Sequence, residues 1–306
     1  MDTRQIEYIL QIAEENNITK AAEKLFITQS ALNQQLLKLE KELGTPLFHR
    51  SRTNWRLTEA GEIYIEGAKA ALQIKNTTYN RIYDVVSARK GHLTIGLTPG
   101  RGLRMFTAIY PELHRSFPNL DVRPIEMRVR AQQDAIAKGE IDVGLMTLAR
   151  RDQTSDTYYP LKQEELVLII PAGHPLAEKA APSGEPLATL DLTELRYEPF
   201  VLMDKTSTLR SSCDLLFEKA GFAPNILFET NNTSGIAAMV QSTLCCGIIP
   251  RYYTLGLTEG VACFSLPERP SWEIVISCQK NGYLNSGARE FIRLAREYWE
   301  NSAPLF

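Results

Sequence analysis

The most informative part of the sequence is residues 28–61, TQSALNQQLLKLEKELGTPLFHRSRTNWRLTEAG, where an amphipathic helix pattern gives way to a short basic turn. Leucines recur there at spacings of three and four residues, the period of one face of an α-helix. They are Leu32, Leu36, Leu39 and Leu43. Thr28 is a good N-cap residue, and glycine at position 44 commonly ends a helix. The pattern predicts a helix over Gln29–Leu43 whose leucine face is buried.

The opposite face of this predicted helix is polar. It carries Ser30, Gln34, Lys38 and Lys41, with Gln29 and Asn33 towards its N-terminal edge. Amide and hydroxyl groups can read base edges in the DNA major groove, and lysines can contact phosphates. We therefore interpret this face as a DNA-reading surface, although a helix face that only meets solvent has the same pattern.

A basic turn follows the helix. Leu47 and Phe48 return to the core, and Arg50, Arg52 and Arg56 lie on a predicted turn between two short extended pieces. This arrangement is typical of a wing beside a recognition helix. Arginines there would contact phosphates, which strengthens DNA binding without reading its sequence.

Two more helices are predicted before residue 28. Apolar residues from Ile6 to Ala13 have helical spacing, and a second short helix covers Lys20–Leu25 with Thr19 as its N-cap. The small residues at 21 and 22 allow another helix to cross closely. Joined by the turn at 26–28, these elements predict a helix-turn-helix.

The charge distribution agrees with this interpretation. The chain of 306 residues has a net charge of -2, but residues 18–58 hold seven Lys or Arg against three Glu, so this segment carries +4 and the remainder -6. A local excess of positive charge suits a DNA-binding segment, because phosphate contacts need concentrated cations.

The same segment resembles the LysR-type transcriptional regulators. The matching stretches are ITKAAEKL at 18–25, TQSAL at 28–32, LLKLEKEL at 36–43, GTPLFHR at 44–50 and LTEAG at 57–61. The resemblance implies a winged helix-turn-helix that binds double-stranded operator DNA, with functional positions at Gln29, Ser30, Asn33, Gln34, Arg50 and Arg52. The family usually has Ser in place of Asn33 and a polar residue in place of Leu37. The complete set of predicted DNA-binding residues is Thr19, Lys20, Gln29, Ser30, Asn33, Gln34, Lys38, Arg50, Arg52 and Arg56.

Residues 59–90 are predicted to form a long linker helix, because residues 59–88 contain no proline. Residues at spacings of three and four suit a seam that pairs with a second copy, and they are Ile65, Ala68, Leu72, Lys75, Tyr79, Ile82 and Val86. A helix packed on its own domain is the alternative on pattern alone. In the family that the chain resembles this helix dimerises, so we expect a homodimer that pairs further into a tetramer.

After Lys90 the pattern changes to strands alternating with helices, first over residues 93–146 and again over 165–249, with a last strand and helix over 272–300. This order predicts an α/β fold of two lobes, each built on a mainly parallel sheet covered by helices. Crossovers near Leu161 and Ser265 assign 91–161 and 267–306 to lobe one and 162–266 to lobe two. The predicted domains are therefore a winged helix-turn-helix over 1–58, a linker helix over 59–90 and an effector-binding domain over 91–306.

This part also resembles the LysR-type effector domain, whose fold is like that of periplasmic binding proteins. The similar runs are IDVGL at 141–145, GHPLA at 173–177 and GIIP at 247–250. The family usually has glycine where this chain has Thr243 and Cys245, and Ser or Thr where it has Val129.

The cleft between the lobes is the expected effector site, because loops at the carboxyl ends of parallel strands converge there. The predicted effector-binding residues are Thr98, Pro99, Gly100, Arg101, Gly102, Arg128, Val129, Thr147, Met203, Thr206 and Asn231. Several arginines on lobe-one loops indicate that the small-molecule effector is an anion, with a carboxylate as the first candidate. Arginines that only solvate the loops are the alternative.

Other classes of protein fit less well. Gly100 and Gly102 match part of a dinucleotide-binding fingerprint, but Met105 occupies its third glycine position. We find no catalytic motif and no Cys or His spacing typical of a metal site, so we expect neither an enzyme nor a cofactor. A redox role for the adjacent Cys245 and Cys246 stays open. The sequence has no signal-peptide pattern and no membrane-length apolar run, which favours a cytoplasmic regulator over an exported solute-binding protein. RNA polymerase is a further expected partner.

Overall fold

The computed structural model describes residues 2–50, 55–86, 89–182, 184–255, 257 and 259–301. Two compact units make up the chain: one reaches from the N-terminus to His92 and includes Lys138–Glu140, and the other contains the remainder. None of the helices in the described ranges combines the length and the apolar character that a membrane crossing requires.

The first unit consists of helices and a small wing. Its elements are α1 (Thr3–Glu15), α2 (Ile18–Lys24), α3 (Gln29–Leu43), the wing strands β1 (Phe48–His49) and β2 (Arg56–Leu57), and α4 (Glu59–Val85). The two wing strands pair antiparallel, with Phe48 opposite Leu57 and His49 opposite Arg56. The core contains residues from α1, α2, α3, the wing and the start of α4. This confirms the winged helix-turn-helix.

The predicted limits of α3 are confirmed, and those of α2 are corrected. The Thr28 hydroxyl accepts a hydrogen bond from the Ala31 amide at 3.2 Å, as an N-cap does. The cap of α2, however, is Asn17, whose side-chain oxygen accepts from the amides of Thr19 and Lys20 at 2.9 and 3.1 Å. The prediction that Thr19 caps a helix beginning at Lys20 was wrong, because an Asn two residues earlier already satisfies these donors.

The leucine face of α3 is buried over most of its length. Leu32, Leu36 and Leu39 lie in the core, whereas Leu43 is 46% exposed. The prediction for Leu43 was wrong because the helix ends there, and the chain turns at Gly44 so that Leu47 and Phe48 fill the core instead.

A close backbone approach explains the glycine in the stretch LTEAG. A Cβ atom at Gly61 would lie only 2.1 Å from the Leu47 carbonyl oxygen, which accepts a hydrogen bond from the Thr58 amide at 3.0 Å. The Thr58 hydroxyl caps α4 by accepting from the Gly61 amide at 3.0 Å. The backbone just before the wing is therefore closely packed against the start of α4.

The predicted seam on α4 divides into two halves. Ile65 and Ala68 are buried in the core of the first unit, so for them the alternative of packing on their own domain was right. Tyr79, Ile82 and Val86 are 45%, 49% and 63% exposed. The exposed part of this predicted seam therefore lies towards the C-terminal end of the helix.

The second unit has the predicted alternation of strands and helices. Its elements are β3 (Lys90–Leu97, which begins in the first unit), α5 (Arg101–Ser116), β4 (Asn119–Glu126), α6 (Val129–Ala137), β5 (Val143–Leu148), β6 (Thr157–Pro171), β7 (Pro199–Met203), α7 (Thr208–Ala220), β8 (Asn225–Thr230), α8 (Thr233–Gln241), β9 (Gly247–Pro250), β10 (Val261–Ser265), β11 (Ser271–Cys278) and α9 (Ser286–Glu300). Strand β10 was not predicted.

One long strand, β6, runs through both lobes. Its first part pairs with β11, as far as Glu165 opposite Ser271, and its second part pairs with β10 and β9. These pairings and that of β11 with β5 are antiparallel, whereas β3 with β5 and β7 with β8 are parallel. The expectation of mainly parallel sheets was therefore wrong, because the two crossing strands β6 and β11 run side by side in opposite directions.

Thr243, which follows α8, has a left-handed backbone with φ of 68°. The resemblance predicts glycine at this position. The positive φ explains this preference, because glycine adopts such a backbone without strain and a β-branched residue does not.

We expect Thr243→Gly to stabilise the protein by about 0.5–1 kcal/mol, because relief of the left-handed strain exceeds the entropy that glycine adds to the unfolded chain. Urea unfolding of the full chain measures this change. The control is Ser242→Gly, where φ is -75° and the hydroxyl donates to the Met239 carbonyl at 2.6 Å. This control is expected to lose stability, and a Thr243→Gly protein no more stable than the wild type would contradict the strain.

Candidate functional site

The polar face of α3 is accessible. Gln29, Ser30, Gln34 and Lys38 are exposed and Asn33 is half-buried, as predicted for a surface that contacts a partner. Among the described residues neither Lys38 nor Lys41 forms an ion pair with a carboxylate. The face therefore presents amides, a hydroxyl and cations, a set of groups that fits base edges and phosphates.

The start of α2 adds two exposed residues to the first unit's polar surface. Thr19 and Lys20 are both exposed, and their amides are occupied by the Asn17 side chain. Their side chains remain directed to solvent and can contact a phosphate, which is the role that the sequence predicted for them.

The wing arginines differ from one another. Arg50 forms an ion pair with the buried carboxylate of Glu40, and its guanidinium lies 5.5 Å from the ring centre of Trp55. Glu40 also accepts from the Leu47 amide at 2.8 Å. Arg50 is thus held within the wing, Arg56 is exposed on β2, and Arg52 lies outside the described residues.

The turn from β3 to α5 contains five predicted effector residues, Thr98 to Gly102. Gly100 precedes the helix with φ of 73°, and the Gly102 amide donates to the Thr98 carbonyl at 3.0 Å. Thr98 is half-buried and Pro99 and Gly100 are exposed, whereas Arg101 and Gly102 are buried.

Arg101 is enclosed in the second unit. Its guanidinium donates to the Glu164 carboxylate, and the two side chains are 6% and 0% exposed. Burial would lower the pKa of the Arg101 guanidinium, but the negative charge of Glu164 opposes this, and the pKa is raised overall. The predicted role of Arg101 as an anion ligand is not supported by this geometry, because the guanidinium already has a buried carboxylate partner.

Glu164 has further donors besides Arg101. The Trp272 indole nitrogen donates to it at 2.7 Å and the Tyr252 amide at 3.0 Å. The Arg101 guanidinium also lies 5.0 Å from the ring centre of Tyr252. This buried cluster joins α5, β6 and β11. Sequence analysis missed Glu164, although an acidic pair at 164 and 165 directly before the apolar run at 166–170 is an available signal.

Arg128 is the accessible arginine among the predicted effector residues. It donates to the Asp204 carboxylate at 2.8 Å and to the Thr206 hydroxyl, so it connects lobe one to the β7–α7 turn of lobe two. Its side chain is 47% exposed. Burial alone would raise the pKa of the Asp204 carboxyl, but hydrogen bonds from Thr206 and the charge of Arg128 outweigh it and lower that pKa.

The remaining predicted effector residues have varied surroundings. The Thr147 carbonyl accepts from the Thr208 hydroxyl at 3.0 Å, a second contact between the lobes. The Met203 sulfur accepts from the Thr233 hydroxyl at 3.7 Å. Val129 is buried and Asn231 is exposed. The structure therefore brings Arg128, Thr206 and Thr147 to the boundary between the lobes.

The cysteine thiols do not resemble reactive groups. Burial raises the pKa of Cys246 to about 12 and that of Cys263 to about 11, and it also raises the pKa of Cys245. Since the thiolate is the reactive form, the burial of these thiols argues against redox sensing by them. In the described part of the chain no cluster of His, Cys, Asp or Glu could hold a metal ion.

Comparisons with known proteins agree with the two units. Residues 3–62 match the family model "Bacterial regulatory helix-turn-helix protein, lysR family", and residues 87–300 match the model "LysR substrate binding domain". The transcriptional regulator YcgK of Bacillus subtilis is 29% identical, covering 97% of this chain and 94% of that protein. The Hca operon transcriptional activator HcaR of Escherichia coli is 27% identical, covering 97% and 98%.

Solved structures show the same fold. A full-length OxyR variant from Pseudomonas aeruginosa has a TM-score of 0.69 at 22% identity, covering 99% of this chain and 96% of that chain. CbnR, a LysR family transcriptional regulator, has a TM-score of 0.66 at 20% identity, covering 97% and 99%. The regulators in both comparisons span almost the whole length of the chain.

Proposed function

Because the chain belongs to the LysR family of transcriptional regulators, we propose that it reads operator DNA through α3 and the wing and that a small carboxylate bound between the lobes changes this binding. The observation that carries the proposal is the accessible polar face of α3, which is backed by buried leucines and adjoins a wing. The domain limits 1–58, 59–90 and 91–306 are part of this proposal, as is action in the cytoplasm.

A homodimer would supply two recognition helices for a symmetric operator. The exposed apolar residues Tyr79 and Ile82 on the C-terminal half of α4, with Val86 at its C-cap, support self-association through that end of the helix. Pairing of dimers into a tetramer and contact with RNA polymerase remain parts of the proposal that rest on the family.

An anionic effector is proposed on the geometry of Arg128. This guanidinium is accessible, and it lies at the lobe boundary beside the Thr206 hydroxyl. A carboxylate effector that replaces Asp204 as its partner would keep the same type of charge-assisted hydrogen bond. It would thereby change how the two lobes are held, which is the step that couples effector binding to the rest of the protein.

The experiment is a titration of the full-length protein against duplex DNA from its own upstream region at several salt concentrations. We expect tight binding that weakens steeply with salt, because cations released from phosphates drive the association. Arg56→Ala is expected to weaken binding to all sequences and to lower the slope of log affinity against log salt by about one.

The matched control for Arg56→Ala is Lys219→Ala, which removes an exposed cation paired with Glu268 on the second unit. Its affinity and salt slope are expected to match those of the wild type. Binding without salt dependence, or equal losses from Arg56→Ala and Lys219→Ala, would contradict a DNA interface on the wing.

A further inference from the structure

Phe26, in the turn between α2 and α3, has an unusual backbone. Its φ is 54°, in the left-handed region. The Phe26 amide donates to the Glu23 carbonyl at 3.1 Å, and the Ile27 amide donates to the Ala22 carbonyl at 3.1 Å. These two bonds form the helix end in which the residue after the C-cap is usually glycine. A phenylalanine there is strained, because its Cβ crowds the following carbonyl oxygen.

The ring of Phe26 does not offset this strain by packing. Its side chain is 95% exposed, and it belongs to none of the hydrophobic clusters of the described residues. The next residue, Ile27, does pack against the core of the first unit. A large apolar ring is thus held in solvent by a strained backbone, a combination that indicates a function outside the chain's own fold.

The position of Phe26 indicates where its partner lies. Phe26 comes two residues before the cap Thr28 and three before Gln29, so its Cα lies within about 11 Å of that of Gln29. In helix-turn-helix proteins the first residues of the recognition helix enter the major groove. The exposed ring therefore adjoins the end of α3 that would meet base edges.

We propose that the Phe26 ring contacts a thymine methyl group in the major groove, next to the bases that the start of α3 reads. The ring has no hydrogen-bonding group, and the C5-methyl of thymine is the apolar group that this groove presents. The proposal rests on the function proposed above, since it requires α3 to read the groove. It makes Phe26 a specificity-determining residue.

The first test compares Phe26→Gly with the wild type on a duplex selected by the wild-type protein from a random-sequence library. Phe26→Gly relieves the left-handed strain, which raises stability, and it removes the ring, which lowers DNA affinity. Stability and affinity should therefore change in opposite directions. We expect the melting temperature to rise by a few degrees and the affinity for the selected duplex to fall by about fivefold. If the variant lost affinity because it folded poorly, the melting temperature and the affinity would both fall.

The matched control is Asn16→Gly. Asn16 also has a left-handed backbone, with φ of 49°, and it ends α1 in the same unit without carrying an aromatic ring. Asn16→Gly is expected to leave the affinity unchanged. A Phe26→Gly protein that binds as tightly as the wild type would overturn the inference while leaving the proposed DNA binding intact. A wild type that selects no duplex would contradict both.

The second test identifies the methyl group. Each thymine of the selected duplex is replaced in turn by uracil, which lacks only the methyl. At one position, replacement is expected to weaken wild-type binding by about fourfold and to leave Phe26→Gly binding unchanged. Equal effects on both proteins at every position would overturn the thymine contact. A Phe26→Gly protein with an altered oligomeric state would also overturn it, because the ring would then lie against a second copy of the chain.

Discussion

Arg101→Met is expected to lower the free energy of unfolding of the second unit by about 3–5 kcal/mol, equivalent to a fall of roughly 10 °C in its melting temperature. The substitution removes one partner of an ion pair whose side chains are 6% and 0% exposed. The Glu164 carboxylate would keep its hydrogen bonds from Trp272 and Tyr252 but would lose the guanidinium that forms its ion pair. A buried charge that loses its ion-pair partner is costly, because it has lost its hydration as well.

Urea unfolding followed by tryptophan fluorescence measures this effect, with Arg293→Met as the control. Arg293 pairs with Glu290 and Glu297 on α9, but its side chain is 50% exposed. An exposed pair contributes little, so this control is expected to unfold almost as the wild type does. If Arg101→Met and Arg293→Met have the same stability, the buried pair does not form in solution.

A double substitution separates charge from hydrogen bonding. In Arg101→Met combined with Glu164→Gln, the amide oxygen can still accept from Trp272 or Tyr252, and neither charge of the buried pair remains. We expect the double variant to recover at least half of the stability that Arg101→Met loses. If Arg101 instead binds the effector, as the sequence suggested, Arg101→Met would keep the stability of the free protein and lose only the effector response.

This pair also shows why part of the site could not be predicted from the sequence. Capping and periodicity are local, so Thr28 and the leucines at 32, 36 and 39 were enough to predict α3 and its buried face. Arg101 and Glu164 are 63 residues apart, and Arg128 and Asp204 are 76 apart. An arginine on a loop has the same sequence pattern whether it meets solvent, a ligand or a carboxylate from another strand. Only the tertiary contacts assign these arginines different roles.

The sequence also provided no general means of predicting which residues have a left-handed backbone. Phe26 and Thr243 both have positive φ, although neither residue type favours it. The resemblance predicted glycine at 243, so for that position a signal was available before the structure. For Phe26 no comparable signal was present, because an exposed aromatic residue and a half-buried one look alike in a turn sequence. The strain became visible only with the hydrogen bonds that end α2.

The second large effect concerns the effector. We expect Arg128→Ala to reduce the affinity for a carboxylate effector by about 10- to 100-fold, because it removes a charge-assisted hydrogen bond donor from the lobe boundary. The measurement is a thermal shift of the full-length protein with acetate, pyruvate, succinate and benzoate as probes, titrated to saturation. Arg128→Lys keeps a cation but not the planar fork, so its loss is expected to be intermediate.

Asp204→Asn tests the same site in the opposite direction. If an effector carboxylate replaces Asp204 as the partner of Arg128, then Asp204→Asn removes the carboxylate that competes with the effector. The Arg128–Asp204 pair is partly exposed and is worth no more than about 1 kcal/mol, so the gain in effector affinity is expected to be at most about fivefold. Because the folded-state pKa of Asp204 is lowered, the pair is intact at neutral pH. Its contribution is present above the ordinary carboxyl pKa and is lost as the pH falls through the lowered value.

Arg151→Ala is the control for both substitutions at the lobe boundary. Arg151 also reaches across the lobes, donating to the Ser212 hydroxyl at 3.1 Å, but that cross-lobe partner carries no charge, and the carboxylate that Arg151 pairs with, Asp152 at 4.0 Å, is on its own lobe. Arg151→Ala is expected to leave carboxylate affinity within about twofold of the wild type. Equal losses of carboxylate affinity in Arg151→Ala and Arg128→Ala would show that any contact across the lobe boundary supports effector binding. An unchanged carboxylate affinity in Arg128→Ala would show that this guanidinium is not part of the effector site. A carboxylate that competes with Asp204 gives the protein a physical means of converting effector concentration into lobe position, since the same guanidinium cannot serve both anions fully at once.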